Sequence, residues 1–515
     1  MKNWVNPLCL LLLLFPTTLF ADIVYQGKLV QEWPAEARPT FDNSRGVPQT
    51  RALMKTTAFA TQSHYAAPKG KIYSLTLLVD FSDVPAPVTK EEVEEWLNKE
   101  GFNRDGCNGS VRDYYLDVSN GQLDLTNEVY GWYRAKYPKS WYESEERFEP
   151  NNKYKGSDIL MKEVFDYFDS QVDFSRYDND KDGTTEAINI VYAGAGQTWG
   201  QGLWPHSGWS SERRDGVRLT HHQMTDMPGK FSIYVFVHES GHMIFGWPDL
   251  YWYGDYCTMG NRANDLNPVA INDFFRADQG WIPFVDITSD DVNNVTSLEV
   301  TKPGEFCYRY KTPNRPNQEG LVWSYVRNTG RNKVLAGSGL LMQHYDFSFT
   351  RGNIAADSLT LRIVHANAAG KSSDNPGDQW PSPGSTANTF FKSGTYAEFS
   401  DDAYPAIRWY NGSKTGLKIT DIGTPGETLM FCIGENCSEP VSSSSSAPEE
   451  ISSSSMTESS SSSEAPSAII SNLGITKHGK PGSKIFNVLG KPVGVRNANG
   501  ALPDLPKGVY VEVAK

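Results

Sequence analysis

Cysteine, histidine and clustered positive charge are all scarce in this chain, and each shortage narrows its class. Its 515 residues include 6 cysteines and 9 histidines, and 48 basic residues stand against 61 acidic ones. The formal net charge is -13 at pH 7, and no block of Lys and Arg is present. A nucleic-acid-binding protein needs clustered positive charge to neutralise phosphates, so this class is not expected. The acidic balance is compatible with a secreted protein that binds calcium.

The N-terminus is typical of a secretory signal peptide. Lys2 precedes an apolar run over residues 8–15, and small Ala21 closes the segment. We expect cleavage before Asp22, a mature form with no transmembrane anchor, and a secreted or outer-surface location. Loss of Cys9 with the signal leaves five cysteines, which allow at most two disulfides. These five are Cys107, Cys257, Cys307, Cys432 and Cys437.

The most informative motif is H-E-x-x-H, formed by His238, Glu239 and His242 inside an apolar run. On an α-helix the two histidines project from one face about one turn apart and can bind one metal ion. Glu239 then lies beside the metal and can take a proton from metal-activated water. The motif therefore predicts a zinc hydrolase; the alternative is two hydrogen-bonded histidines on a core helix.

A catalytic zinc ion needs a third protein ligand and an open fourth position. Gly246 can end the helix with a positive φ, and Pro248 directs the chain toward Asp249, seven residues past His242. Asp249 is the predicted third ligand. Asp255 is the second candidate, and a local role for Asp249 in the turn is the alternative.

A second metal site is predicted at residues 178–183, DNDKDG. Oxygen ligands at positions one, three and five with glycine at six match the start of a calcium loop. Asn189 occupies position twelve, where the full loop has Glu, so we expect a shortened structural calcium loop; the alternative is a solvated Asp-rich turn. The expected ligands are Asp178, Asp180, Asp182 and Glu186.

The segment HESGHMIFGWPDLY, followed by GDYCTMG, resembles the zinc-binding helix, third-ligand turn and methionine turn of the immune inhibitor A-like secreted metallopeptidases, which are zincins related to the metzincins. The similarity extends from VDFSD to GLLMQHYD and covers most of residues 71–435. It implies a secreted endopeptidase in which His238 and His242 bind zinc, Glu239 is the base, and Met259 lies beneath the metal. The family's common pattern has one residue fewer between the second histidine and the third ligand.

The chain divides into successive segments. Residues 22–70 are a propeptide or an N-terminal extension, with both alternatives open. Residues 71–290 mix helices and strands and are the expected α+β zincin-like catalytic domain. Short strands at regular spacing predict a β-rich, sandwich-like domain at 291–438. A disordered serine-rich linker at 439–467 leads to a small β module at 468–515.

Caps and apolar periodicity predict individual elements in the α+β region. The expected helices begin at the caps Thr89, Ser110 and Asn272, and a further one covers residues 156–171. Strands are expected at 71–83 and 187–194.

Two weaker hypotheses concern histidines outside the motif. His206 is a candidate for orienting the substrate or an oxyanion, and a structural role is the alternative. His221 and His222 are adjacent, hence on opposed faces, and are not expected to share a metal.

The last residues, 484–515, resemble the short C-terminal sorting domains of type IX secretion cargo, which implies contact with secretion machinery. A small adhesive or spacer module is the alternative.

The leading hypothesis is a secreted, zinc-dependent, calcium-stabilised endopeptidase that hydrolyses peptide bonds of protein or peptide substrates. The alternative is a cell-surface binding or adhesion protein whose peptidase-like domain is not catalytic. The intact motif favours the enzyme.

Overall fold

The computed structural model describes residues 69–149, 153–197, 202–294, 297–346, 361–367, 388–394, 396–403, 407–434 and 437, and also the backbone of five short strands nearer the termini. The predicted signal peptide, most of the 22–70 segment, the serine-rich linker and most of the C-terminal module lie outside the described residues. The chain forms two compact units, Met1–Glu439 and Pro440–Lys515.

The first unit is a mixed α/β structure with several sheets and few helices. Its helices are α1 (Lys90–Asn98), α2 (Val111–Val118), α3 (Lys139–Tyr142), α4 (Gly156–Phe168), α5 (Tyr234–Phe245), α6 (Asp273–Asp278) and α7 (Ser289–Asn294). Short 3-10 turns lie at Arg104–Gly106, Glu145–Arg147, Phe174–Tyr177, Tyr251–Tyr256 and Gly330–Val334. None of the helices in the described ranges has both the length and the apolar character that a membrane span requires.

The largest sheet has seven strands in the order β2-β1-β8-β11-β7-β3-β4. They are β1 (Asp22–Tyr25), β2 (Lys28–Val30), β3 (Gly70–Asp80), β4 (Leu123–Arg134), β7 (Ile188–Ala193), β8 (His206–Trp209) and β11 (His221–Met227). Two separate two-stranded sheets are formed by β5 (Phe148–Glu149) with β6 (Lys153–Tyr154) and by β9 (Arg213–Arg214) with β10 (Val217–Arg218). The strands from β11 to β4 run parallel, whereas β8 is antiparallel to β11. Strand β7 is buried throughout, as expected for a central parallel strand.

Two further sheets follow. One has the order β12-β14-β15-β16-β17 and the other β13-β20-β19-β18. The strands are β12 (Phe284–Ile287), β13 (Ser297–Thr301), β14 (Cys307–Lys311), β15 (Glu319–Val326), β16 (Gly339–Asp346), β17 (Leu361–Val364), β18 (Phe399–Ser400), β19 (Lys418–Thr420) and β20 (Leu429–Ile433). In the second unit, β21 (Lys484–Asn487), β22 (Pro492–Val495) and β23 (Tyr510–Val513) form a three-stranded sheet.

One disulfide joins Cys432 to Cys437, while Cys107, Cys257 and Cys307 are free and buried thiols. The described structure therefore contains one of the two disulfides that five cysteines allow.

The predicted caps are confirmed. Thr89 and Ser110 each accept a hydrogen bond from the third residue of their helix and complete capping boxes, and the Asn272 side chain caps α6. The predicted helix at 156–171 and the two predicted strands are present as well, with shifted ends, and short strands follow residue 290 as expected.

Helix α5 is covered on its rear side by a core that continues into the later sheets. Val237 and Met243 belong to the same apolar cluster as Trp247, Tyr345 and Leu361. The apolar core around the motif-bearing helix is thus continuous with side chains of the five-stranded sheet.

Candidate metal centre

Helix α5 carries the H-E-x-x-H motif and is buried on nearly all sides, with eleven of its twelve residues inaccessible. It ends at Gly246, whose φ of 65° lies in the left-handed region that favours glycine. The amide of Gly246 donates to the carbonyl oxygen of His242 at 3.0 Å, and the amide of Trp247 donates to that of Gly241 at 3.2 Å. This closing turn sends the chain back toward the helix.

The turn brings Asp249 to the two histidines. Nε2 of His238 and Nε2 of His242 lie 3.2 Å apart, and each lies 3.2 Å from Oδ1 of Asp249. All three side chains are buried, with exposures of 0%, 1% and 1%. Gly246 and Asp249 come four and seven residues after His242, so the residue that the common family pattern lacks lies between His242 and Gly246. Asp255 lies in the following 3-10 turn outside this triangle.

The spacing of the three ligand atoms fits a tetrahedral zinc ion. Donors about 2.0–2.1 Å from zinc at tetrahedral angles are about 3.3 Å apart, which is close to the observed 3.2 Å. Two nitrogens and one carboxylate oxygen are also a ligand set that zinc accepts. Three protein ligands leave one tetrahedral position for water or substrate.

Backbone carbonyl groups orient both imidazoles. Nδ1 of His238 donates to the carbonyl oxygen of Thr258 at 2.9 Å, and Nδ1 of His242 donates to that of Trp247 at 2.5 Å. With the proton on Nδ1, the lone pair of Nε2 points toward Asp249. Two lone pairs and a carboxylate then converge in a buried space, and a cation placed among them would relieve their repulsion.

The electrostatics of the triad agree with this arrangement. Burial raises the pKa of Asp249, but the imidazoles of His242 and His238 outweigh burial and hold this pKa well below its usual range. Burial also lowers the pKa of His238, which favours the neutral ring that a metal needs. A neutral ring with its proton on Nδ1 leaves Nε2 of His238 able to bind a metal ion.

Glu239, the predicted base, is completely buried on the same helix. Burial, followed by the charges of Asp249 and Glu239, raises the pKa of Tyr234 well above its usual value. Both carboxylates thus act on one phenol. Tyr234 donates its hydroxyl proton to the carbonyl oxygen of Gly260 at 3.0 Å, and its ring stands beside His238.

Met259 packs against the motif helix at Gly241, which lies between His238 and His242 in the sequence. A Cβ atom on Gly241 would lie 2.7 Å from Sδ of Met259 and 3.0 Å from Cε3 of Trp247. The amide of Leu250 donates to the carbonyl oxygen of Met259 at 2.6 Å, which closes the loop after Asp249. Met259 is therefore a packing support for the helix.

The predicted calcium loop brings together three of its four expected ligands. Asp178, Asp180 and Glu186 each offer an oxygen, and these oxygens lie within 4.8 Å of one another. Asp182 is outside this group, and its Oδ1 accepts from the amide of Thr184 at 2.8 Å.

The loop is held by its own backbone and by β3. Amides of Asp182 and Gly183 donate to the carboxylate of Asp178 at 3.0 and 3.1 Å, and Asn179 exchanges hydrogen bonds with the backbone of Tyr73. Burial raises the pKa of Asp180. Because burial disfavours this ionised carboxylate, a bound cation would stabilise its charged form.

His206 is not brought to the triad in the described structure. It pairs in register with Met224 of β11, stacks on Trp204 and donates from Nδ1 to the carbonyl oxygen of Trp204 at 2.8 Å. Its ring lies 6.3 Å from that of His222. Both rings lie on the face of the sheet opposite to Gln223, which is the β11 residue that contacts α5. His221 and His222 lie on opposed faces, as predicted.

The carbonyl groups of Thr258 and Trp247 are site components that sequence reasoning missed. Backbone oxygens carry no residue-type signal, so only the fold reveals them. Tyr234, one helical turn before His238, had a positional signal in its four-residue spacing.

No family model matches this chain, and no curated protein matches it significantly.

Proposed function

We propose that this chain is a secreted zinc-dependent endopeptidase. The observation that carries the proposal is the triangle of His238 Nε2, His242 Nε2 and Asp249 Oδ1, with all three separations at 3.2 Å. Nothing in ordinary core packing requires two imidazole acceptors to face one buried carboxylate. Membership of the immune inhibitor A-like metallopeptidases, with a zincin-like catalytic domain, is part of the same proposal and is based on the motif residues.

In this proposal the three residues hold zinc, which when bound lowers the pKa of a water molecule to about 7 and polarises a peptide carbonyl. Glu239 is the carboxylate that accepts a proton beside the triad and passes it to the departing amine. Thr258 and Trp247 keep the imidazoles in the required tautomer through their carbonyl oxygens. Protein or peptide substrates are expected, because the proposed chemistry is amide hydrolysis.

The Glu239→Gln variant tests the proposal. Loss of the base should reduce turnover of casein by about a hundred- to ten-thousandfold, while zinc binding is retained because Glu239 is not one of the three converging ligands. Zinc content and casein hydrolysis are measured on the same purified protein.

Asp249→Ala is the matched comparison, because it should lose metal and activity together. Activity that disappears with a zinc chelator and returns with zinc supports the enzyme. A wild-type protein that binds zinc but never cleaves would instead support the adhesion protein with a non-catalytic domain.

Two further parts of the proposal concern calcium and export. Asp178, Asp180 and Glu186 are proposed to bind a structural Ca²⁺, since their oxygens converge in a loop that begins like a calcium-binding one. We also propose export by the N-terminal signal and a sorting role for residues 468–515. Deletion of residues 468–515 should block delivery to the medium, and unchanged export would contradict the sorting role.

A further inference from the structure

A buried glutamine connects the seven-stranded sheet to the motif helix. Gln223 of β11 is 0% exposed. Its Nε2 donates to Oδ1 of Asn189 on β7 at 2.6 Å and to Oγ of Ser240 on α5 at 2.9 Å. Its Oε1 accepts from the hydroxyl of Thr225 at 3.3 Å. The amide of Gln223 thus uses both its donors and its acceptor inside the protein.

Asn189 gives this connection a rigid base. Its Nδ2 donates to Oγ of Ser74 at 2.7 Å and to the carbonyl oxygen of Leu75 at 2.9 Å, both on β3. Strands β3 and β7 are parallel neighbours, and each has a paired strand on both sides. Ser240 is therefore linked through the side chains of Gln223 and Asn189 to strands β7 and β3.

Ser240 occupies the one helical position that orients both histidines equally. His238 lies two residues before it and His242 two residues after it, so each is about 160° around the helix from Ser240, in opposite directions. When Ser240 is bonded to the sheet, both imidazoles point away from the sheet. A rotation of α5 that moved Ser240 would turn both Nε2 atoms relative to Asp249.

The hydrogen bond from Gln223 adds a directional contact to the apolar packing of α5. Burial of apolar surface is non-directional, whereas a hydrogen bond from Gln223 to Ser240 has a preferred length and angle. A leucine of similar size at position 223 would satisfy packing without burying an amide. The buried amide of Gln223 therefore makes a directional contact with α5 that an apolar residue would lack.

We propose that Gln223 is a positioning residue that sets the rotation of the metal helix through Ser240 and so pre-forms the zinc triad. This proposal rests on the proposed zinc peptidase function. Gln223 lies behind the helix, where it acts on the ligands only through Ser240.

The Gln223→Leu variant is compared with the wild type at a temperature at which circular dichroism shows both to be folded. We expect zinc affinity, measured by competition with a chromogenic chelator, to fall about 10- to 100-fold, as for other residues that orient metal ligands. Turnover number should fall while KM changes less than about twofold, because the substrate surface is untouched. The absorption bands of the Co²⁺-substituted protein should shift with the altered ligand geometry.

Ser240→Ala removes the other end of the same bond and serves as a second variant if Gln223→Leu does not fold. Because the two residues share one interaction, the double variant should lose little more affinity than Gln223→Leu alone. Ser207→Ala is the matched control: Ser207 is a buried serine on β8 whose hydroxyl donates to the carbonyl oxygen of His222 within the sheet. It should leave zinc affinity and the cobalt spectrum unchanged.

Wild-type zinc affinity and turnover in both Gln223→Leu and Ser240→Ala would overturn the positioning role while leaving the zinc peptidase intact. An equal loss in Ser207→Ala would overturn it as well, because the effect would then be general loosening of the sheet. A wild-type protein that binds no zinc would overturn the proposed function itself.

Discussion

Two glycines on either side of His242 shape the candidate centre for different reasons. Gly246 adopts a φ of 65°, which ends α5 and starts the turn to Asp249. Gly241 has ordinary helical geometry, but its missing side chain leaves room for Met259 and Trp247. The sequence revealed the first role, because a glycine after a helical pattern predicts a left-handed cap. The second could not be predicted, since it depends on residues that approach from elsewhere in the chain.

The Gly241→Ala variant should be destabilised, although alanine is the better helix former. Helix propensity favours Ala by about 1 kcal/mol. A Cβ atom placed 2.7 Å from Met259 Sδ and 3.0 Å from the rigid indole of Trp247 costs more, typically about 1–3 kcal/mol in a packed core. We therefore expect a net loss of about 1 kcal/mol in the free energy of unfolding, measured by urea denaturation, and weaker zinc binding.

Met259→Ala provides the comparison for this variant. If overlap with Met259 is the cause, the double variant Gly241→Ala/Met259→Ala should be more stable than the sum of the two single effects predicts. Strict additivity, or a stabilised Gly241→Ala protein, would show that the helix has room at this position.

At the scale of elements, local signals and tertiary context account for different parts of the fold. Helices α1 and α2 have capping boxes and could be predicted because a cap acts within one turn. Strand β11, with the sequence HHQMTDM, could not, because it is polar yet almost wholly buried. Strand β4 carries Asp, Asn and Gly, which are depleted in strands. Pairing with neighbouring strands outweighed these weak local preferences.

The loop between the 3-10 turn Phe174–Tyr177 and β7 is an element whose stability should depend on calcium. A ligand at about 100 times its Kd stabilises the folded state by about 2.7 kcal/mol. For a unit of this size, each kcal/mol of added stability raises Tm by at most about 2–4 °C. Chelation of Ca²⁺ should therefore lower the melting temperature of the wild type by several degrees, as measured by calorimetry with zinc held constant.

Asp178→Asn should melt at the lower temperature with or without Ca²⁺, because it removes one of the three converging carboxylates. Asp182→Asn is the useful contrast, since Asp182 lies outside the converging group. It should retain most of the response to Ca²⁺. A wild-type melting temperature that is indifferent to chelation would contradict the calcium proposal.

For the whole molecule, the H-E-x-x-H motif located the candidate centre, but it did not define its surroundings. The motif is local, since its spacing alone places two imidazoles on one helix face. Asp249 followed from the turn signal of Gly246 and Pro248, and the structure brings it within 3.2 Å of both imidazoles. Gln223 and the carbonyl groups of Thr258 and Trp247 come from separate parts of the chain. Their contributions exist only after the sheet and core have formed.

Buried neutral histidines outside the triad make the stability of the whole first unit dependent on pH. Burial lowers the pKa to about 4 for His206 and to about 3 for His222. Burial likewise lowers the pKa of His344 to about 4, although Glu319 faces it, and that of His365 to about 4. In the unfolded chain each would titrate near pH 6.5.

The sign of the pH dependence follows from which state binds more protons. Between about pH 6.5 and pH 4 the unfolded chain has protonated these histidines and the folded protein has not, so acid favours unfolding. In this window each of these histidines adds about 1.4 kcal/mol per pH unit to the slope of the free energy of unfolding. Above about pH 6.5 the histidine is neutral in both states, and none of this stability has been lost. The free energy of unfolding, measured in urea on the metal-free protein, should therefore fall steeply as the pH is lowered from 7 to 4.5.

His365→Gln isolates one of these contributions. His365 Nδ1 pairs with the hydroxyl of Thr389 at 2.9 Å, and a glutamine amide can keep that contact without binding a proton in this range. The variant should be less stable than the wild type at pH 7, because the replacement packs less well, but the difference should shrink as the pH falls and the slope should be lower by about one proton. Parallel curves for the two proteins from pH 7 to 4.5 would mean that His365 has the same pKa folded and unfolded. In that case the acid sensitivity would have to come from the other buried histidines and from the carboxylates.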